Sequence, residues 1–334
     1  MKNIKKLPFI LSILSLFTIF SPVNADIKVV ASIKPIHSLA SYLMDGVGKP
    51  DLIVDGYASP HGFAMKPSHA KMLQNADLIF WVGEDLENFL EKPLKSIAKK
   101  AEKIELMEIK GLKKLKFRER NIFEEHGHDE HKEHAHKDDK HDDHKHDEHK
   151  EHGHKEDKHD DHHEHAHGEH DPHIWLDPIN AKSILSELAV HLIEKDPNNA
   201  SVYKANLKKA HKALDNLTKK VKSELKGDFK SIVFHDAYQY FEKRFNVNVL
   251  GAFTVNTDVL PGAEQLAEIR EIIEHEKVTC VFSEPQFNPD IIKAVAKDTN
   301  IKTGVIDPLG ATLDPGKDLY FDLIRNMYAS FKGC

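Results

Sequence analysis

Histidine accounts for 25 of the 334 residues, and these fall into two groups. Seventeen lie between residues 124 and 171; the other eight are His37, His61, His69, His173, His191, His211, His235 and His275. Neutral imidazole is a borderline ligand suited to Zn²⁺, whereas a hard cation would call for carboxylate and carbonyl oxygen. Position in the chain sorts the eight. His61 follows an apolar run at 51–55, within Gly56-Tyr57-Ala58-Ser59-Pro60-His61-Gly62. His173 sits in Asp171-Pro172-His173-Ile174-Trp175, and His235 closes the apolar run 231–234. In alternating α/β chains, binding residues collect at strand ends and in the connections beyond them. These three are therefore the candidate ligands of one ion. Asp307, in Asp307-Pro308-Leu309-Gly310, is a candidate fourth ligand or hydrogen-bond partner of a ligand imidazole, or it leaves the position to water. Glu284 is a weaker candidate for a supporting carboxylate. His37 is the substitute should one of the three fail. His191, His211 and His275 read as ordinary helix residues, and His69 as an exposed residue at a helix start.

Residues 124–171 consist almost wholly of His, Asp, Glu and Lys, with no apolar residue larger than Ala. Such a segment cannot bury a core and is expected to be a mobile loop. A mere acidic spacer has no need of histidine. Imidazole at this density offers several weak, exchangeable sites for Zn²⁺, and also for Cu²⁺ or Ni²⁺.

The elements around these residues follow from the hydrophobic pattern. Strands are expected at 27–33, 51–55, 77–82 and 103–109. They alternate with helices at 36–44, 68–75 (Ser68 as N-cap) and 86–99, the signature of a parallel sheet with crossovers. Helical spacing follows at 178–195, and again from 199 to 225 without internal Gly or Pro. A second series has strands at 231–234, 247–253, 278–282 and 302–306, and helices at 237–245, 263–276, 289–299 and 318–331. The expectation is an α/β fold: two (β/α) lobes with parallel sheets, one long connecting helix, and a metal cleft between the lobes. The divisions are a signal peptide at 1–25, a first lobe at 26–198 that carries the His-rich loop, a connecting helix at 199–226, and a second lobe at 227–334.

The basic start Met1-Lys2-Asn3-Ile4-Lys5-Lys6, an apolar run at 7–20 and Val23-Asn24-Ala25 read as a secretory signal cleaved after Ala25. The apolar run is too short and too broken by Ser and Pro to span a bilayer. The formal charge of −7 hides an uneven distribution, since 124–171 holds 19 acidic residues against 7 Lys. The remaining mature chain is close to neutral, without the basic face that nucleic acid would demand. Two cysteines, Cys280 and Cys334, in an exported chain are expected to form a disulfide.

Several segments together resemble the ZnuA-type zinc-binding proteins of bacterial ABC transporters, a cluster that also holds the manganese-binding lipoprotein adhesins. They are Lys66-Pro67-Ser68 with Leu73-Gln74-Asn75-Ala76-Asp77-Leu78, then His173-Ile174-Trp175-Leu176, Val233-Phe234-His235-Asp236-Ala237-Tyr238 and Phe253-Thr254-Val255-Asn256. Cys280-Val281-Phe282-Ser283-Glu284-Pro285-Gln286-Phe287 and Asp307-Pro308-Leu309-Gly310 complete the set. The resemblance implies two lobes linked by one rigid helix, with metal held by His61, His173 and His235. In manganese-selective relatives the third position is a carboxylate and the counterpart of Asp307 is a ligand, so His235 at that position favours zinc. Zinc relatives can carry Glu immediately before the first ligand histidine. Pro60 stands there in this chain, which leaves Asp307 or water to complete the coordination.

The function implied is a periplasmic solute-binding protein, a monomer, that captures Zn²⁺ and delivers it to an inner-membrane ABC permease with its cytoplasmic ATPase. One alternative is a periplasmic metal buffer working through the His-rich loop. Another is a secreted zinc hydrolase, since three histidines and an open position are also a catalytic geometry. The chain has no His-Glu-x-x-His helix and no evident base, so no enzymatic activity is expected.

Overall fold

The computed structural model describes residues 27–123 and 168–334, apart from 258 and 300. The expected signal peptide and most of the His-rich loop fall outside the described residues. Among the described residues, no helix is long and apolar enough to cross a membrane.

The first lobe runs β1 (Val29–Ile33), α1 (Lys34–Leu43), β2 (Asp51–Val54), α2 (Pro67–Asn75), β3 (Leu78–Trp81), α3 (Glu84–Ser96) and β4 (Glu102–Glu105). Its strands form a parallel sheet in the order β2-β1-β3-β4. Every residue of β1 and β3 is buried. That is why these strands read as unbroken apolar runs: helices cover a parallel sheet on both faces. Two helices follow, α4 (Pro178–Lys195) and α5 (Ala200–Glu224). At 1.5 Å per residue α5 is about 38 Å long, and it packs along α4 and α1. The second lobe repeats the scheme with β5 (Lys230–His235), α6 (Gln239–Phe245), β6 (Asn248–Thr254), α7 (Ala263–His275), β7 (Cys280–Ser283), α8 (Asp290–Thr299), β8 (Lys302–Val305) and α9 (Leu319–Gly333). Its parallel sheet has the order β6-β5-β7-β8.

The two lobes share their interior. One apolar cluster reaches from Ile33 and Leu185 through Trp175 to Tyr238, Phe282 and Phe331. A smaller one, including Ile232, Ile269 and Val295, lies beneath α7 and α8. Two further features tie the lobes. Residues 112–123 leave the first lobe and lie across the second as a strap. Leu115 N donates to Tyr240 Oη at 3.1 Å, Ala252 N donates to Asn121 O, and Phe123 N donates to Leu250 O, the last two at 2.8 Å on the edge strand β6. A side chain at Gly251 would meet Asn121 O at 2.6 Å, so the strap needs that glycine. In the other direction α9 packs against α1, where Tyr320 N donates to Ser38 Oγ at 2.9 Å. The buried Lys34 ammonium donates to the carbonyls of Gly310, Ala311 and Leu313 at 3.2, 3.0 and 2.8 Å. Cys280 and Cys334 form the expected disulfide, with Cα atoms 5.7 Å apart, and pin the end of α9 to β7.

Four expectations need correction. The strand expected at 103–109 is only Glu102–Glu105, followed by a 3-10 turn at Leu106–Glu108. Leu106 and Met107 are buried in that turn, and an apolar run alone does not separate turn from strand. Ser68 is not the cap of α2: Lys66 holds that place, Pro67 opens the helix, and Lys66 N donates to His69 Nδ1 at 3.2 Å. His69 is accordingly buried, its ring stacked 5.5 Å from Phe63, and not exposed. The loop boundary at 171 lies too late. Gly168 N donates to Asp85 Oδ1 at 2.8 Å, His170 bridges to Lys116, and Asp171 is fully buried.

Candidate metal site

Three connections deliver three imidazoles to one point. His61 stands in the β2–α2 loop, where its backbone N–H donates to Ser59 Oγ at 3.2 Å. His173 immediately precedes a 3-10 turn at Ile174–Leu176, and His235 is the last residue of β5. Their ring centroids lie 5.7, 5.8 and 5.3 Å apart, and one ligand atom from each lies within 4.8 Å of the others. His173 and His235 are buried, and His61 is half-buried at the rim.

Two buried carboxylates aim these rings. Asp171 Oδ1 lies 2.7 Å from His173 Nδ1 and 2.9 Å from its backbone N. Glu284 Oε1 lies 2.7 Å from His235 Nδ1. A carboxylate accepts, so each Nδ1 carries the proton and each Nε2 offers a lone pair. The two Nε2 atoms face each other at 3.4 Å. Two lone pairs at that distance repel unless a cation sits between them. Two nitrogens on one tetrahedral Zn²⁺ lie roughly 3.3 Å apart, given bonds of about 2.0 Å. The donor set, its separation and its aiming carboxylates fit zinc.

Electrostatics differ between the two rings. Burial and the neighbouring His235 hold the pKa of His173 well below its usual value, so His173 is ready to bind as neutral imidazole. Burial also pulls His235 down, but the Glu284 charge and hydrogen bond override it and leave His235 raised. Burial pushes Asp171 up to about 7, against the His173 backbone N–H and Arg118. Behind His235, Arg118 of the strap reaches Asp236 at 2.8 Å and Glu242 at 2.6 Å.

Asp307 is not aimed at the three rings. Its Oδ1 accepts from Gln286 Nε2 at 2.8 Å and from Leu309 N and Gly310 N at 3.0 Å, while Oδ2 accepts from Ala311 N at 2.6 Å. Its carboxylate is committed to the loop that follows β8. The supporting carboxylates are Glu284, weighted lightly in the sequence, and Asp171, hidden there at the end of an acidic run. The Asp-x-His spacing of Asp171 and His173 was the available signal. His37 lies elsewhere, with Nε2 3.0 Å from Pro50 O. His211 is held by Lys182 O at 3.1 Å, and His275 is exposed. Glu102, His191 and Glu194 also come together, but Lys195 Nζ lies 3.1 Å from Glu102, and the group is an ion-pair network at the lobe surface.

Comparison with known proteins identifies the family. The family described as "Zinc-uptake complex component A periplasmic", ZnuA, matches residues 29–334. The "High-affinity zinc uptake system protein ZnuA" of Brucella abortus (strain 2308) is 46% identical over 336 residues, covering 100% of this chain and 99% of its own. The protein of the same name from Yersinia pestis is 37% identical over 94% of this chain and 93% of its own. Among solved structures, a crystal structure of ZnuA superposes with a TM-score of 0.68 at 20% identity, covering 91% of this chain and 99% of that one. The laminin-binding protein Lmb of Streptococcus agalactiae gives 0.67 at 20% identity, with the same coverage. At such identities these two likenesses speak for the fold alone.

Proposed function

The chain belongs to the ZnuA family, and from that membership we propose that it captures Zn²⁺ in the periplasm and delivers it to an ABC-type importer. The observation that carries the reading is the convergence of His61, His173 and His235 from both lobes, two of them aimed by buried carboxylates. Zinc is the cargo in this reading. The docking partner is an inner-membrane permease with its ATPase, and the working unit is a monomer exported through a signal peptide cleaved after Ala25. The lobes are 26–198 and 227–334, joined by the helix 199–226. A cargo site must bind tightly and also release, and three neutral ligands without a coordinating carboxylate suit that demand.

The test is zinc titration calorimetry at neutral pH on the mature chain, before and after residues 124–167 are replaced by a Gly/Ser linker. One tight site that survives excision and is lost on His61→Ala or His235→Ala is the expected result. If tight binding leaves with the excised segment, the buffer reading takes its place.

A further inference from the structure

The three histidines leave one position of a tetrahedral ion to be filled, and Asp307, the sequence candidate for it, is engaged elsewhere. A small cavity adjoins the Nε2 atoms, lined by His61, His173, His235, Trp175, Gln286 and Leu309 among others. Its volume of about 10 Å³ is close to the space one water needs, about 10 Å³ or more with polar partners available. Beside the three imidazoles, Pro60, Phe287, Pro308 and Leu309 offer no side-chain hydrogen-bonding group, whereas Ser59, Glu284 and Gln286 do.

Of the acid and amide side chains there, Glu284 is turned to His235 Nδ1 at 2.7 Å, and Gln286 is the neutral acceptor, its orientation fixed by chemistry. Its amide lies 2.8 Å from Asp307 Oδ1. An ionised carboxylate only accepts, so the Gln286 group facing it must be the Nε2 amine. Asp307 is itself immobilised by the backbone amides of Leu309, Gly310 and Ala311. The amide of Gln286 is thereby locked in one of its two settings, with Oε1 at the free end. That oxygen is buried and has no hydrogen-bond partner among the described residues. A buried, unsatisfied acceptor is costly and calls for an explanation.

We propose that Gln286 Oε1 accepts a hydrogen bond from a water that completes the coordination of the bound zinc, and that Asp307 serves the site by locking the Gln286 amide. Bound water is the donor this acceptor lacks, and the cavity has the volume for one such molecule. The acceptor is neutral, so it holds the water without adding a negative charge to the site. Asp307 is thereby two hydrogen bonds removed from the metal. The inference rests on the three-histidine reading and extends it.

The experiment uses the full mature chain and the Gln286→Met variant, matched in size but lacking the acceptor. Zinc dissociation into excess chelator is followed by stopped flow, apo unfolding is measured alongside, and His61→Ala is the control. Loss of one hydrogen bond to a metal-bound donor predicts dissociation roughly tenfold faster, with apo stability almost unchanged. A crystal structure of the zinc-loaded wild type is expected to show one solvent oxygen bound to zinc and about 3 Å from Gln286 Oε1. Asp307→Asn frees the Gln286 amide to turn over, because Asn both donates and accepts, and it is expected to speed dissociation similarly. Unchanged dissociation in Gln286→Met, or a protein oxygen as fourth ligand, overturns the inference. If His61→Ala retains tight zinc, the three-histidine reading itself fails, a separate result.

Discussion

Glu284→Gln isolates the contribution of one carboxylate to zinc affinity. Glu284 is fully buried as a side chain and touches His235 Nδ1 at 2.7 Å. The variant keeps an oxygen able to accept that N–H, so the tautomer survives and only the charge is removed. Through the ring, the carboxylate stands roughly 6.5 Å from an ion held by Nε2 at about 2.0 Å. A unit charge against Zn²⁺ at that range and an effective dielectric of 20 gives about 5 kcal/mol. Part of this is not gained on binding. The same carboxylate raises the pKa of His235, and the proton that zinc displaces already enjoys about half of the attraction. What remains is about 2–3 kcal/mol, or roughly 30- to 160-fold in affinity, at the upper end of the effects measured when outer-shell partners of metal ligands are mutated. Competition with a chelator across pH 5.5 to 8.5 supplies the assay. Wild-type affinity should climb as pH passes a midpoint above the ordinary histidine value of about 6.5. In the variant that midpoint moves to lower pH while the plateau at high pH weakens. An unshifted midpoint, or a plateau within twofold of wild type, would refute the reasoning.

Three more outcomes follow from the same coordinates. Arg118→Ala strips the partner from two buried carboxylates, Asp236 and Glu242, and should cost on the order of 3 kcal/mol in urea unfolding; a loss under 1 kcal/mol would show that the strap holds without it. Glu87, in the first turn of α3, is fully buried, and burial lifts its pKa to about 7 despite hydrogen bonds from Ser32, Gly83 and Val82. Its protonated form is the one that folds well, so its contribution is complete below about pH 4.5 and fades as pH rises through 7, by up to about 3 kcal/mol. Glu87→Gln should therefore gain stability relative to wild type between pH 5 and pH 8, and a pH-independent difference would exclude this account. Cys334→Ser opens a loop of 54 residues and should destabilise by about 4 kcal/mol on the chain-entropy model, measured against the same variant's zinc affinity, which should hold.

Much of this was legible in the residues. The strands of both lobes are apolar runs because helices bury them on two faces, and that pattern needs no partner to be recognised. His61, His173 and His235 stood out because strand ends and connections have a fixed meaning in parallel α/β folds. The supporting groups were harder, and for a common reason. Asp171 is one of many acids in its stretch of sequence, and only burial sets it apart. Gln286 gains its meaning from Asp307, which gains its own from three amides of a loop. The strap at 112–123 has no periodicity to read. Its course depends on the bare surface of Gly251 and on carboxylates 118 and 124 positions away from Arg118. His69 was misjudged because a histidine beside lysines looks solvated, whereas here its ring receives the Lys66 N–H.

The strap also sets a rule for anyone shortening this chain. Phe117 and Glu169 run side by side, with Phe117 N donating to Glu169 O at 3.4 Å, so the two ends of the excisable stretch begin as neighbours. They then part. Six further residues carry the chain to Phe123 on β6, as much as 20 Å away at roughly 3.3 Å per extended residue. Joining Phe123 directly to Gly168 would peel 118–123 off the sheet edge and draw Arg118 away from Asp236. Such a truncation would report on a damaged second lobe as much as on missing histidines. A graft of about twelve Gly/Ser residues, whose relaxed span is roughly 5–6 Å times the square root of their number, crosses the gap without tension and leaves the scaffold as the native sequence builds it.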